Sequence, residues 1–427
     1  MIRTTPDRRY RLLTWVLIAM IGLLGSLSAQ QPHSDLAAPT DIYVQDFEAA
    51  WTLVRENYAY FSEKSVDWNR VHTHFLPLAQ QVHSRDELID LLEAMLEHLT
   101  DPHAHLGVNT AHSPRMIPSG TDLWAEYRDG RPLISAVRAG SAAERAGIQP
   151  GWEITAIDGR PAQEAVQARR PNVLPANDPV ARDWALRAAL AGHHDRPLAI
   201  ELQVDGTPRT FEFTPGRSQP MATGLGLTKL DHGVVQIRLY DSLGDYALLA
   251  EWDAALASVQ DSTGLVLDLR DTPGGGNTTV ARGIMSRLIR DSLPYQRHEL
   301  TSEEQRFGVK RFWVEYVAPR GPFCYDRPLV VLVGPWTGSM GEGLAIGLHG
   351  MKRGYVIGSP MAGLCGANYS FDLPHSGIAL RIPAERLYHV QGTPREKFEP
   401  DRMIDAKPGG EDVVLRAACE WLRTQVD

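Results

Sequence analysis

Fifteen residues constrain this chain more than any others: Leu329 to Gly343, reading LVVLVGPWTGSMGEG. The unbroken apolar run Leu329–Val333 is rich in β-branched residues and suits a buried strand. Gly334-Pro335 ends that strand, Thr337-Gly338 follows, and Ser339 stands where a helical spacing begins with Ala345, Leu348 and Met351. A serine on a sharp strand-to-helix turn keeps its hydroxyl exposed while the backbone is held on both sides. The first helical N–H groups point toward the same place and favour developing negative charge. The stretch predicts either a helix-capping serine or a nucleophile, and the rest of the chain decides between them.

The pattern from Gly224 onward frames that strand. Val234, Val235, Ile237 and Leu239 predict a strand, Tyr246 to Val259 a helix, Gly264 to Leu269 a second buried strand, and Val280 to Ile289 a helix. Further strands are expected at Tyr355 to Gly358 and around Ile378, Leu380 and Ile382, with a last helix near Val413 to Leu422. Strands alternating with helices predict an α/β core whose sheet is covered on both faces. After the second strand comes Arg270-Asp271-Thr272-Pro273-Gly274-Gly275-Gly276-Asn277, whose glycines bare backbone N–H groups suited to an oxyanion or a phosphate. A nucleotide is disfavoured, because the P-loop lysine and the dinucleotide glycine spacing are both missing.

Upstream, residues from about Asp41 to Leu99 read as helices, with Phe47, Trp51, Val54 and Tyr58 on one face and Leu88, Leu91, Leu92, Met95, Leu96 and Leu99 on another. Asp67-Trp68 is expected in a turn, and Ser84 with Glu87 as a capping pair. The helices end at Thr100-Asp101-Pro102-His103-Ala104-His105. A serine hydroxyl is a poor nucleophile until a base takes its proton, and histidine titrates near neutrality. His103 and His105 would face opposite ways in an extended segment.

From Pro118 the pattern alternates with period two. Arg128-Asp129-Gly130-Arg131 and Asp158-Gly159-Arg160 read as hairpin turns, and Val166 to Ala191 as an inserted loop with a short helix. The string from Gly140 to Gly151 with these hairpins resembles a PDZ domain, a module that binds peptide ends by strand addition. The resemblance places its carboxylate loop near Gly120 to Trp124 and its peptide contacts at Asp122, Leu123 and Trp124. The usual second glycine is missing there, and Trp152 stands where an aspartate is common.

The chain has 427 residues and a formal net charge of −9 with both signs interspersed, which argues against a nucleic-acid partner. Three cysteines are too few for a disulfide framework, and no Cys/His spacing suggests a metal. Arg3, Arg8, Arg9 and Arg11, then the apolar run Leu12 to Leu24 and Ser26 to Ala29, read as a signal peptide over residues 1–29. Export to a periplasm or beyond, with no membrane attachment after cleavage, is expected; an uncleaved anchor is the alternative.

Taken together the strings resemble the S41 peptidase family, nearer its tricorn-like branch than its C-terminal-processing branch. They are Tyr58-Ala59-Tyr60-Phe61, Val66-Asp67-Trp68, Leu99-Thr100-Asp101-Pro102-His103, Val266 to Arg270 before Pro273-Gly274-Gly275, and Thr337 to Glu342. The resemblance implies a ClpP/crotonase-like α/β core (222–425), an N-terminal helical domain (38–115) and an inserted PDZ-like β-rich domain (118–216). It implies a serine peptidase acting on proteins or peptides without a cofactor, with Ser339 as nucleophile and an oxyanion hole from Met340, Gly274 and Gly275. The loop Gly358 to Gly366 holds no lysine, so the lysine base of the processing branch is absent, and the tricorn-like pattern assigns the base to His103 over His105. Pro102 replaces a serine that helps orient this base. The glutamate that orients it is expected near Pro400-Asp401, at Glu399 or, in another register, Glu396. Glu342 would support the site, and Cys365 would pack beside it. An inactive peptide-binding scaffold and an esterase on the same core are the rival readings, and the oligomeric state is open.

Overall fold

A computed structural model describes residues 39–216, 223–404 and 411–425. The expected signal segment, 1–29, lies outside the described residues, and among these no helix is long and apolar enough to cross a membrane.

Three helices open the structure: α1 (Pro39–Asn57), α2 (Trp68–Ala79) and α3 (Arg85–Leu96). Phe47, Trp51 and Val54 are buried on one stripe of α1 as the spacing predicts, with Ala50 beside them and Tyr58 buried just past the helix end. Asp67-Trp68 is not a free turn. The Asp67 carboxylate caps α2 by accepting from the Asn69 and Arg70 N–H groups, and Trp68 is buried inside the helix. Ser84 caps α3 through the Glu87 N–H as expected, while the Glu87 carboxylate accepts from His83 N–H. Thr100 ends the helical run in the left-handed region, at φ 45°. The chain then passes His103 into the two-residue strand β1 (His105–Leu106).

A six-stranded antiparallel sheet follows, made of β2 (Leu123–Arg128), β3 (Arg131–Val137), β4 (Glu153–Ile157), β5 (Arg160–Pro161), β6 (Leu198–Val204) and β7 (Thr207–Phe213). Its order is β2-β3-β4-β6-β7, with β5 on β4. Asp129-Gly130, Asp158-Gly159 and Asp205-Gly206 all take positive φ at both positions, the turn that matches strand twist in two-residue hairpins. Three helices pack here: α4 (Ala142–Arg145), α5 (Ala162–Arg169) and α6 (Pro179–Ala191). The segment expected as loop plus short helix is therefore mostly helical. Asp178 caps α6, and its Trp184, Ala185, Leu186 and Ala189 join the sheet's core.

The main core is a six-stranded sheet ordered β17-β14-β13-β10-β9-β8. Its strands are β8 (Leu225–Lys229), β9 (Val234–Leu239), β10 (Gly264–Asp268), β13 (Leu329–Val333), β14 (Tyr355–Gly358) and β17 (Arg402–Met403), and only β8 runs antiparallel to its neighbour. Every residue of β13 is buried, with Leu267 on one side and Val356 on the other in register with Val331. Helices α7 (Leu248–Ala257), α8 (Thr278–Met285) and α10 (Met340–Gly350) bury one face, and α11 (Val413–Arg423) the other.

A third, five-stranded sheet was legible in the sequence only at the strand expected around Ile378, Leu380 and Ile382. It contains β1, β11 (Leu293–Leu300), β12 (Arg311–Val317), β15 (Ala367–Asp372) and β16 (Ala379–Tyr388), with α9 (Thr301–Phe307) between β11 and β12. Pairing of β1 with β16, His105 opposite Arg381, ties the N-terminal segment to the C-terminal half and carries His103 to the core.

Candidate active site

Ser339 sits between β13 and α10 with φ 50° and ψ −112°, a conformation that costs a non-glycine residue of order 1–3 kcal/mol. Several bonds hold it there. Thr337 Oγ1 donates to Leu269 O at 2.8 Å, Gly338 N–H to Thr272 O at 3.1 Å, and Ser339 N–H to the Glu342 carboxylate at 2.8 Å. A Cβ on Gly338 would stand 2.8 Å from Pro273 O, so the two loops meet this closely only because that position is glycine.

His103 Nε2 lies 3.1 Å from Ser339 Oγ. The opposite ring nitrogen, Nδ1, lies 2.5 Å from the carbonyl oxygen of Cys365. A carbonyl can only accept, so Nδ1 carries the proton and Nε2 presents its lone pair to the serine hydroxyl. The main chain of His103 is fixed as well. Its N–H donates to Asp101 at 3.0 Å, Asp101 accepts from Tyr58 OH at 2.7 Å, and Asn368 donates to His103 O at 2.7 Å. Burial, and then the nearby Arg395 charge, push the His103 pKa down to about 4. The ring is therefore neutral and ready to accept a proton at every pH above that. The acid limb of kcat/KM is expected near pH 4, well below the 6.5 of a free imidazole, in a profile measured from pH 3 to 8.

Glu342 is fully buried and accepts from the Ser339 and Gly363 N–H groups; burial raises its pKa to about 7, against the pull of Arg395 and these bonds. Arg395, also buried, stands 3.9 Å from Glu342 and donates to the carbonyls of Leu364 and Gly366, bracketing the carbonyl that holds His103.

The remaining sequence-derived residues separate into those brought together here and those not. Met340, Gly274 and Gly275 line the same cleft, of about 740 Å³, as Ser339 and His103. Gly274 N–H is taken by Asp241 at 2.7 Å, so of the three expected donors this one is already bonded within the fold. Glu399 is exposed and does not reach His103, because the Cys365 carbonyl occupies Nδ1. Glu396 is half-buried, with its Oε2 unpartnered among the described residues and its pKa raised by burial. His105 lines the cleft, but its Nδ1 points to Leu106 O. Asp122, Leu123 and Trp124 are buried rather than presented to a peptide. Asp122 accepts from the Ala142, Ala143 and Gly216 N–H groups, and Trp124 packs edge-on against Trp336.

Sequence reasoning missed Arg395, Asn368, the Cys365 carbonyl, and the cleft wall on β11, β12 and β16. On that wall His298 is bonded to Glu385, lies 3.3 Å from Glu315 and stacks on Trp313. Only the Asp-Pro-His string carried a local signal, since an aspartate two residues before His103 can bond its N–H.

A peptidase family S41 model matches residues 231–404, and a tricorn protease C1 domain model matches residues 39–97. The chain is thus similar to peptidase family S41 over residues 231–404. The chain is 26% identical over 370 residues to a carboxyl-terminal-processing protease of Synechocystis sp., covering 83% of this chain and 79% of that one. It is 24% identical over 375 residues to a tricorn protease homolog of Streptomyces coelicolor, covering 82% of this chain and 31% of that one. Its fold matches mature CPAF complexed with lactacystin at a TM-score of 0.58 and 14% identity, covering 91% and 98% of the two chains. It matches the photosystem II D1 C-terminal processing protease at 0.54 and 21%, covering 89% and 97%. It is a serine-type peptidase, on an α/β core with N-terminal helices.

Proposed function

We propose that this peptidase is exported and hydrolyses peptide bonds through an acyl-enzyme on Ser339, with His103 as the base. The observation that carries the reading is the 3.1 Å contact between His103 Nε2 and Ser339 Oγ, with the tautomer set by the Cys365 carbonyl. In this reading Oγ attacks the scissile carbonyl as Nε2 takes its proton. The carbonyl oxygen, now an oxyanion, is held by the Gly275 and Met340 N–H groups. Nε2 returns the proton to the departing amine, and water repeats the sequence to release the acid. A neutral carbonyl takes the place of the third, acidic member at Nδ1, and the imidazolium is stabilised first by that dipole and then by the nearby Asp101 charge.

The inserted sheet fits a PDZ-like module with a structural role, since the residues expected to meet peptide are buried and α6 covers β2. Arg187 and Arg182 of α6 lie 4.4 and 4.2 Å over Trp124 and Tyr127 of β2. Protein or peptide substrates follow from the family; the basic, apolar N-terminus is the sole support for export.

The test is cleavage of an unfolded protein such as casein, with fluorophosphonate labelling of the wild type and Ser339→Ala. Wild-type cleavage and labelling, both lost in the folded variant, is the expected result. A wild type that neither cleaves nor labels would replace the reading with that of a binding scaffold; labelling with hydrolysis of esters alone would favour an esterase.

A further inference from the structure

Within the unit Pro39–Asp427, a second cavity of about 360 Å³ lies away from the catalytic cleft, between the inserted sheet and the carboxyl ends of the parallel strands. In open α/β sheets that end is where ligands bind. Ala136 and Val137 of β3 form one wall, Pro335 and Trp336 the floor, and Met403 and Val414 the far side. The volume is at the small end of ligand pockets, roughly 300–1,000 Å³. The apolar lining is interrupted by Ser135 and Ser359 and by a set of arginines and acids.

Most of those charges are already matched. Arg270 donates to both oxygens of Asp412 at 2.8 Å and to Asp268 at 2.9 and 2.8 Å, and Arg128 pairs with Glu126 at 3.7 Å. Arg238, at the end of β9, is different. Its Nε is buried with no hydrogen-bond partner among the described residues, and its nearest carboxylates, Asp271 and Asp268, stand at 3.7 and 4.0 Å. Asp268 is held closer by Arg270 and Gln236, and Asp271 by Arg138 at 3.2 Å. The side chain as a whole is 27% exposed and lines the cavity, so a carboxylate there would meet the accessible edge of a guanidinium whose own carboxylate partners are distant.

We propose that this cavity binds a carboxylate carried on a compact aliphatic body, with Arg238 as its anchor. The carboxylate meets Arg238, and the aliphatic part lies against Ala136, Val137 and Trp336. The position gives the site a direct line to the chemistry: Trp336 is three residues before Ser339, and Arg270 leads into the Gly274-Gly275 loop. An occupant touches both loops that converge on the serine. The same chemistry is offered by a small free acid or by the last residue of a peptide chain.

The test uses the full chain carrying Ser339→Ala, so that no turnover intervenes and the outcome does not depend on the peptidase reading. With methionine methyls labelled, titration with 4-methylpentanoate is expected to shift Met403, assigned through Met403→Leu, and to leave the cleft methyls of Met340 and Met116 unmoved. The isosteric 4-methylpentanamide is expected to bind at least tenfold more weakly. Arg238→Gln is expected to cost the acid at least tenfold and to abolish its advantage over the amide. Should Arg238→Gln fail to fold, Ala139→Trp, at an exposed position on the rim, keeps the guanidinium and is expected to block both ligands. Displacement of the acid by acetyl-alanyl-leucine would assign the site to chain ends, and its failure to compete to free acids. Equal shifts from acid and amide, shifts at Met340 in place of Met403, or no shift up to tens of millimolar would overturn the proposal.

Discussion

His103→Ala is expected to lower kcat by about 10⁴-fold or more while KM changes little, because the base acts in the transition state and not in holding substrate. The serine hydroxyl then has no acceptor within reach, and what survives is binding and the oxyanion donors. His103→Gln should fall as far. Its side chain can hold a hydrogen bond to Ser339 Oγ but cannot take the proton at neutral pH, so the pair separates proton transfer from packing. His105→Ala is the control. Its ring is turned to Leu106 O, and a loss below about tenfold is expected. Steady-state kinetics on a fluorogenic peptide, with melting curves to verify folding, decide the matter. A His105 variant as dead as the His103 variant would assign the base to the wrong residue here.

Arg395→Met is expected to cost about 3–5 kcal/mol of stability, the usual penalty for removing one partner of a buried ion pair. Two effects add. The Leu364 and Gly366 carbonyls lose their donor, and Glu342 is left buried without a cation. The sign of the pH dependence follows from Glu342. Its carboxyl is raised from 4.5 to about 7 in the fold, so it favours the folded state when protonated and loses that contribution as pH rises through 7. Without Arg395 the carboxyl moves higher still, so the variant should be hurt more at pH 8 than at pH 5 in urea titrations. His103 gives a second readout, since Arg395 lowers its pKa. The acid limb of kcat/KM in the variant should move upward from about pH 4. A stability loss with an unmoved limb would make Arg395 structural only; a moved limb makes it a positioning residue for the base.

Much of the site was written in local strings. The nucleophile turn was legible because a buried strand, a Gly-Pro break and a helical spacing leave Ser339 one place to stand. His103 was legible through its Asp-Pro-His neighbourhood, and the Asp-Gly hairpins through the positive φ that their turns require. The β11–β12 pair was not. Its residues alternate polar and apolar on two useful faces, Trp313 and Glu315 toward the cleft and Phe312, Val314 and Tyr316 outward, which masks the one-sided pattern of an ordinary half-buried strand. The expected acid partner of His103 went astray for another reason: a backbone carbonyl has no residue type, so the role of Cys365 could not be seen in its side chain.

The sequence by itself determined the α/β core and the serine at its turn. Those features depend on residue identity and on spacing along the chain, where hydrophobic period and turn chemistry act over a few residues. The tertiary structure decided the tautomer of His103, the burial of Asp122, Leu123 and Trp124, the occupation of the Gly274 N–H and the placing of Arg395 beneath the site. Each depends on which donor meets which acceptor across contacts such as the 262 residues between His103 and Cys365, a pairing settled only when sheets and loops close on one another.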